Sequence, residues 1–293
     1  MSRMPAWVKG WLWTSPWWLG FLLFLAVPMG LSLYLSFCDY SLLQPPVFIG
    51  AANYTSLAVD SSFHKVLLNT LIYAALAIPL GTAVAVLLAT LLNQNVRGQA
   101  VFRACIFIPT IVPLVAIAVV WMWMLNSEQG LVNQLLGGVG VAGPAWLDSP
   151  LWAMLSLVLV SLWLVGSPVV IYLAGLQEIP ETLYEAAELD GASRVRRFWH
   201  VTLPGLSPVI LFNVIIAIIT TWQIFALPFV MWRGSRGPGD ATYFYTMYLF
   251  DNAFRYLKMG YASSMAWIQL LIILALTGLV FVVSRRMVHY RGG

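Results

Sequence analysis

Charge is scarce in this chain. Only 9% of its 293 residues are Asp, Glu, Lys or Arg, while 61% are hydrophobic, against about 25% charged in an ordinary soluble domain. That excludes a water-solvated globule and points to a membrane protein. Lysine is scarcer still. Lys9, Lys65 and Lys258 are followed by Gly10, Val66 and Met259, so no Lys-Ser or Lys-Thr closes a phosphate-cradling P-loop, and the chain does not bind ATP in that way. Two cysteines, Cys38 and Cys105, are too few for a disulfide framework or a Cys-based zinc site. His64, His200 and His289 lie in separate segments without ligand spacing, so no metal and no resident cofactor is expected. The net charge of +4 is thinly spread, which excludes nucleic acid as a partner. No Ser, Thr or Asp stands at a spacing that suggests a nucleophile with its base, and an enzyme is not expected.

What is present is long uncharged sequence. Six windows free of Asp, Glu, Lys and Arg cover 10–38, 66–96, 104–127, 149–177, 198–232 and 259–284. Each can supply the roughly 20 apolar residues that a helix needs to cross a bilayer. The expected fold is an all-α integral membrane protein, a single transmembrane domain over 1–293, with spans at about 14–37, 66–92, 105–125, 151–176, 205–230 and 262–284. Two further uncharged stretches, 40–59 and 129–147, hold Pro45, Pro46 and Asn53 in one and Gly137, Gly138, Gly140 and Pro144 in the other, and read as loops. The first apolar run, Trp17 to Phe37, has no small-residue cleavage site after it and reads as a retained helix. Before it, Arg3 and Lys9 with Trp7, Trp11 and Trp13 suit a headgroup-layer segment or an aromatic belt equally.

If the spans alternate, Arg3, Lys9, Arg97, Arg103, Arg194, Arg196, Arg197, Arg285, Arg286 and Arg291 fall on one side, and Lys65, Arg233, Arg236, Arg255 and Lys258 on the other. This bias predicts a multi-pass cell-membrane protein with both termini cytoplasmic. Cys38 and Cys105 then lie at opposite membrane faces, roughly 30 Å apart across the hydrocarbon, and read as packing residues.

The longest cytoplasmic excursion, 178–204, carries the most specific pattern. Pro180 suits the first position of a helix and Glu181 its positive dipole end. That helix is expected to run to about Asp190, with Gly191 turning the chain and Ser193 capping a second helix parallel to the membrane. Leu183, Ala186, Ala187 and Asp190 share one face. Leu203-Pro204 then opens span five, where the missing proline amide costs nothing. Glu185-Ala186-Ala187, three residues, Gly191, nine residues, Val201, one residue, then Leu203-Pro204 resembles the EAA motif of ABC importer permeases, with Val201 where the family more often has isoleucine.

Further likeness covers most of the chain. Asn69-Thr70, Phe102-Arg103 with Pro109 and Pro113, Trp121 with Gly130 and Asn133, and Gly260-Tyr261-Ala262-Ser263 resemble the maltose-type carbohydrate permeases. The outer run Arg233-Gly-Ser-Arg-Gly-Pro238 departs from the family's pattern, in which two glycines precede that proline. The resemblance implies a permease subunit of a binding-protein-dependent importer for a carbohydrate or polyol. It implies a second, different six-helix permease, two ATPase subunits that bind ATP and Mg, and an extracytoplasmic solute-binding protein as partners, in contact with membrane lipid. It assigns ATPase coupling to Glu185, Ala186, Ala187, Asp190, Gly191, Ala192, Leu203 and Pro204, between spans four and five. The motion it implies is alternating access.

For the solute path, Asn213, Thr220 and Gln223 fall within about 80° on span five, and Ser156, Trp163 and Ser167 within about 40° on span four, at 100° per residue. The bland reading is hydrogen bonding between helices. Rival functions are an ion-coupled secondary transporter, which usually keeps ionisable residues inside its spans, and an ABC permease for a non-sugar solute such as glycerol phosphate.

Overall fold

The computed structural model describes residues 5–94 and 97–284, so Arg3, Arg285, Arg286 and Arg291 lie outside the described residues. The chain is mostly helical. Among the described residues, four helices are long and apolar enough to cross a membrane, Trp7–Ser36, Ser61–Leu92, Arg194–Met231 and Met259–Ser284, and there are six if each of two bent pairs counts as one span. The contacts divide the chain into two units: 1–63 with 248–271, and 64–247 with 272–293.

In the first unit the N-terminal helix starts at Ala6, so the Trp-rich segment is part of the helix itself. A π-turn, Leu22–Ala26, precedes Pro28. A proline ring clashes with the carbonyl four residues back and leaves it without a donor, and a widened turn absorbs both defects. The stretch 40–59 is more ordered than a loop. Its antiparallel hairpin pairs Cys38 with Phe48 and Asp39 with Val47, and a helix spans Ala52–Val59. Asn53 Nδ2 holds the two together by donating to the carbonyls of Ser36 and Cys38, both at 2.9 Å.

Asp60 ties three elements of this unit. One carboxylate oxygen accepts from the Ser62 amide (2.8 Å), the other from the phenols of Tyr248 (2.5 Å) and Tyr261 (2.6 Å). Burial pushes the Asp60 carboxyl up, but those donors and the Phe63 amide outweigh it and hold the group below the usual carboxylate range. Burial, and then the bond to Asp60, push the Tyr248 phenol up to about 12. A folded-state pKa below the unfolded value near 4 means the stabilisation is complete above about pH 4 and is lost as pH falls through the folded value. Thermal unfolding in detergent is expected to show Asp60→Asn several degrees less stable at pH 7, the gap to wild type closing below pH 4. A gap independent of pH would exclude the ionised knot.

In the second unit, Ala85 and Ala89 of Ser61–Leu92, Val169, Tyr172 and Leu176 of Gly166–Gln177, and Leu206 of Leu203–Trp222 form a buried cluster. The expected third span is bent by 102° between Gln99–Ile111 and Leu114–Met124. Pro113 has no amide for a continuous helix, and Val112 before it is extended (φ −72°, ψ 135°), as a residue preceding proline prefers. The expected fourth span is bent by 47° between Pro150–Trp163 and Gly166–Gln177. At that break Gly166 faces the bent neighbour so closely that a Cβ there would lie 2.4 Å from the Ile106 carbonyl oxygen. Cys105 is exposed, because Gln99–Phe107 buries none of its side chains, whereas Cys38 is buried. Only the latter is a packing residue within the chain.

The stretch 129–147 also corrects its reading as a loop. A helix spans Leu131–Gly138, and Asn133 braces the chain on either side of it. Its amide donates to the Ser127 and Pro144 carbonyls, and its oxygen accepts from Trp146 Nε1 at 2.7 Å. On the same unit Asn69 Nδ2 donates to the carbonyls of Asp240 (2.7 Å) and Tyr243 (3.0 Å), while Thr70 Oγ1 accepts from the Tyr245 amide (3.0 Å). The Asn69-Thr70 pair is therefore a clamp on the segment after Pro238.

Candidate functional site

The 178–204 segment folds from its own capping chemistry. Pro180 stands just outside a helix spanning Glu181–Leu189, and Asp190 is its C-cap. Gly191 follows in the left-handed region, φ +73°. Its amide donates to Glu188 and the Ala192 amide to Ala187, at 3.0 and 2.9 Å. These two bonds are a Schellman termination, which satisfies carbonyls the helix leaves open. Ser193 Oγ accepts from the Arg196 amide at 3.4 Å and starts the next helix.

That second helix is not a separate element. It continues through the π-turn Phe198–Thr202 into Leu203–Trp222, so Leu203-Pro204 sits inside a long helix rather than at a start. The π-turn placed just before Pro204 removes the clash with the His200 carbonyl, as the earlier one does for Pro28.

The short helix is seated by a residue the sequence pattern did not single out. Tyr184 packs on the core cluster, and its hydroxyl meets Thr202 Oγ1 at 3.0 Å. Glu188 pairs with Arg197 at 3.0 Å. The expected face Leu183, Ala186, Ala187, Asp190 divides: Ala187 is half-buried, while Leu183, Glu185, Ala186, Leu189 and Asp190 are exposed. Leu189 is 90% exposed. A leucine left bare at a helix end, beside alanine and two acids, is a surface suited to a partner. Ala192 is half-buried behind it. A signal for Tyr184 existed in its three-residue spacing from Ala187 along the helix.

Two cavities flank Leu203–Trp222. One of about 150 Å³ is lined by Asn213, Thr221, Tyr73, Thr82, Ser161 and Tyr172, among others. A second, of about 520 Å³, is lined by Thr220, Thr221, Gln223, Tyr73 and Ser161, among others. Asn213, Thr220 and Gln223 thus all face cavity space, the first in one and the other two in its neighbour. Asn213 Nδ2 donates to the Val209 carbonyl at 3.0 Å. Tyr73, Ser161 and Thr221 line both cavities and were missed, because a single Ser, Thr or Tyr in an apolar helix carries no pattern of its own.

The span-four trio is not brought together. The bend after Trp163 breaks the straight-helix projection that joined it to Ser167. Ser156 is fully buried and donates to the Trp146 carbonyl at 3.0 Å. Trp163 stands edge-on to Trp121, ring centroids 5.8 Å apart, and Ser167 is exposed.

A protein-family model described as "Binding-protein-dependent transport system inner membrane component" matches residues 77–289. The probable ABC transporter permease protein YesP of Bacillus subtilis (strain 168) is 39% identical over 286 residues, 97% of this chain and 92% of that protein. The lactose transport system permease protein LacF of Rhizobium radiobacter is 32% identical, covering 95% and 94% of the two chains. A chain in the crystal structure of a bacterial alginate ABC transporter, in complex with an alginate pentasaccharide-bound periplasmic protein, superposes with a TM-score of 0.82 at 23% identity. The superposition covers 95% of each chain and identifies a shared fold.

Proposed function

We propose that this chain, which belongs to the family of binding-protein-dependent transport system inner membrane components, passes a carbohydrate or polyol across the membrane. It is the permease subunit of an ABC importer. In this reading residues 1–293 are one transmembrane domain of six spans with both termini cytoplasmic. It pairs with a second, different permease, two ATPase subunits and an extracytoplasmic solute-binding protein. ATP and Mg are bound, and ATP hydrolysed, in the ATPase subunits. Residues 185–192 rest on those subunits, and Leu203-Pro204 joins them to the long helix that flanks the cavities.

The observation that carries the coupling role is geometric. Glu181–Leu189 is fixed to the membrane core by Tyr184 and Thr202 while its Leu189 side stays bare, so a push on the bare side reaches Leu203–Trp222 without a flexible joint. ATP binding draws the paired short helices together, and the cavity opens toward the binding protein.

The carbohydrate reading has two supports. The named solute of one full-length relative is lactose. Among the described residues, those lining the two cavities include hydroxyl and amide side chains and no Arg or Lys, which suits a neutral polyol and disfavours glycerol phosphate. Asn213, Thr220 and Gln223 are the path residues of this reading, joined by Ser161 and Thr221. Ser156, Trp163 and Ser167 are not among the residues that line these two cavities.

Replacing Gln223 by Leu is expected to lower uptake about tenfold at low solute concentration, the effect of losing one or two hydrogen bonds of about 1 kcal/mol each, with the complex assembling normally. Radiolabelled uptake into vesicles measures it. Wild-type uptake in both Gln223→Leu and Asn213→Leu would remove this stripe from the path.

A further inference from the structure

A third cavity, of about 580 Å³, lies between the start of Leu203–Trp222 and the end of Met259–Ser284. Its lining includes Pro204, Ser207, Val214, Leu279, Val283 and Ser284. Almost nothing polar faces it. Ser207 Oγ donates to the Pro204 carbonyl at 2.6 Å and Ser284 Oγ to Phe281 at 2.9 Å, so both hydroxyls are turned back into their own helices. The lining is overwhelmingly apolar, and an acyl chain fits the chemistry and the size. The helix forming one wall begins with Arg194 and Arg196, both exposed, while Arg197 is taken up by Glu188. Arg196 precedes Leu203 by seven residues, about 10 Å along a helix, roughly the step from a phosphate to the first methylenes of a phospholipid.

From this juxtaposition of an apolar cleft and exposed cations we infer that the cleft holds an acyl chain of an anionic glycerophospholipid of the cytoplasmic leaflet, its phosphate on Arg194 and Arg196. The site rests on the proposed alternation of spans, which puts Arg194 and Arg196 at the cytoplasmic face. Such basic clefts select acidic headgroups, each cation contributing a factor of about five.

The test uses the intact transporter in vesicles containing photoreactive phosphatidylglycerol or phosphatidylcholine, followed by peptide mapping. Phosphatidylglycerol is expected to label 203–214 and 279–284 preferentially. Arg194→Gln with Arg196→Gln should cut that labelling about 30-fold, and Ser207→Trp, which fills the cleft and leaves the arginines alone, should abolish it. Equal labelling by the two lipids overturns the proposal. So does absence of label with a cross-link from Leu279→Cys to the second permease, which would make the cleft a protein interface. ATP-driven uptake, measured on the same vesicles, reports the importer reading separately.

Discussion

A transporter carrying Ala186→Arg is expected to lose uptake by on the order of 30-fold, the effect of about 2 kcal/mol at a docking hot spot, while the permease folds and inserts normally. Ala186 is exposed on the outward side of Glu181–Leu189, so an arginine there meets a partner before it meets its own chain. Leu189→Asp should act alike, since Leu189 is 90% exposed and its burial in a partner is the gain that the acid removes. Substitutions at Ala187 or Gly191 report less cleanly. Ala187 is half-buried, and Gly191 sits at φ +73°, where any side chain adds about 1–2 kcal/mol of strain. Uptake into right-side-out vesicles supplied with internal ATP, with ATPase activity of the purified complex, measures the effect. Unchanged uptake in both exposed-face variants would deny that the face is gripped.

The second large effect concerns stability. Gly166→Ala places a methyl group 2.4 Å from the Ile106 carbonyl oxygen and 2.8 Å from Thr110 Cγ2. A backbone oxygen cannot swing aside as a side chain can, so the two bent helices must separate. The cost falls at or above the upper end of the roughly 1–3 kcal/mol typical of overpacking. Recovery of monodisperse protein in detergent should collapse. Gly191→Ala, where a Cβ meets nothing within 4 Å, carries only backbone strain and should be recovered well. Equal recovery of both would mean that helix contact at Gly166 is not tight.

Much of this was legible in the residues. Charge-free windows marked the apolar segments because a charge in hydrocarbon is expensive wherever it falls. The 181–192 turn was legible because its capping residues act locally: Glu181, Gly191 and Ser193 need only their neighbours in sequence. The EAA-like residues were visible as a spacing, though not which of them face outward, because Tyr184 chooses the seated side through a contact with Thr202 eighteen residues away.

The bends were not legible in angle. Pro109 and Pro113 entered the reading only as part of a likeness and not as a break in the span at 105–125, and the 47° bend after Trp163, which has no proline at the break itself, undid the Ser156, Trp163, Ser167 stripe. The two uncharged stretches read as loops became ordered through single asparagines, Asn53 and Asn133, each bonding to two carbonyls. Nothing in composition distinguishes such an asparagine from a loop asparagine. The Asp60 knot was hidden for the same reason, its two phenols lying 188 and 201 residues away.

The most direct test of the coupling role is a cross-link. With native Cys38 and Cys105 replaced, Leu189→Cys in the intact assembly should cross-link to the ATPase subunit from the cytoplasmic side, with an efficiency that changes on ATP binding. Labelling of that cysteine by an impermeant reagent added outside the cell, with no ATPase cross-link under any nucleotide condition, would contradict the account.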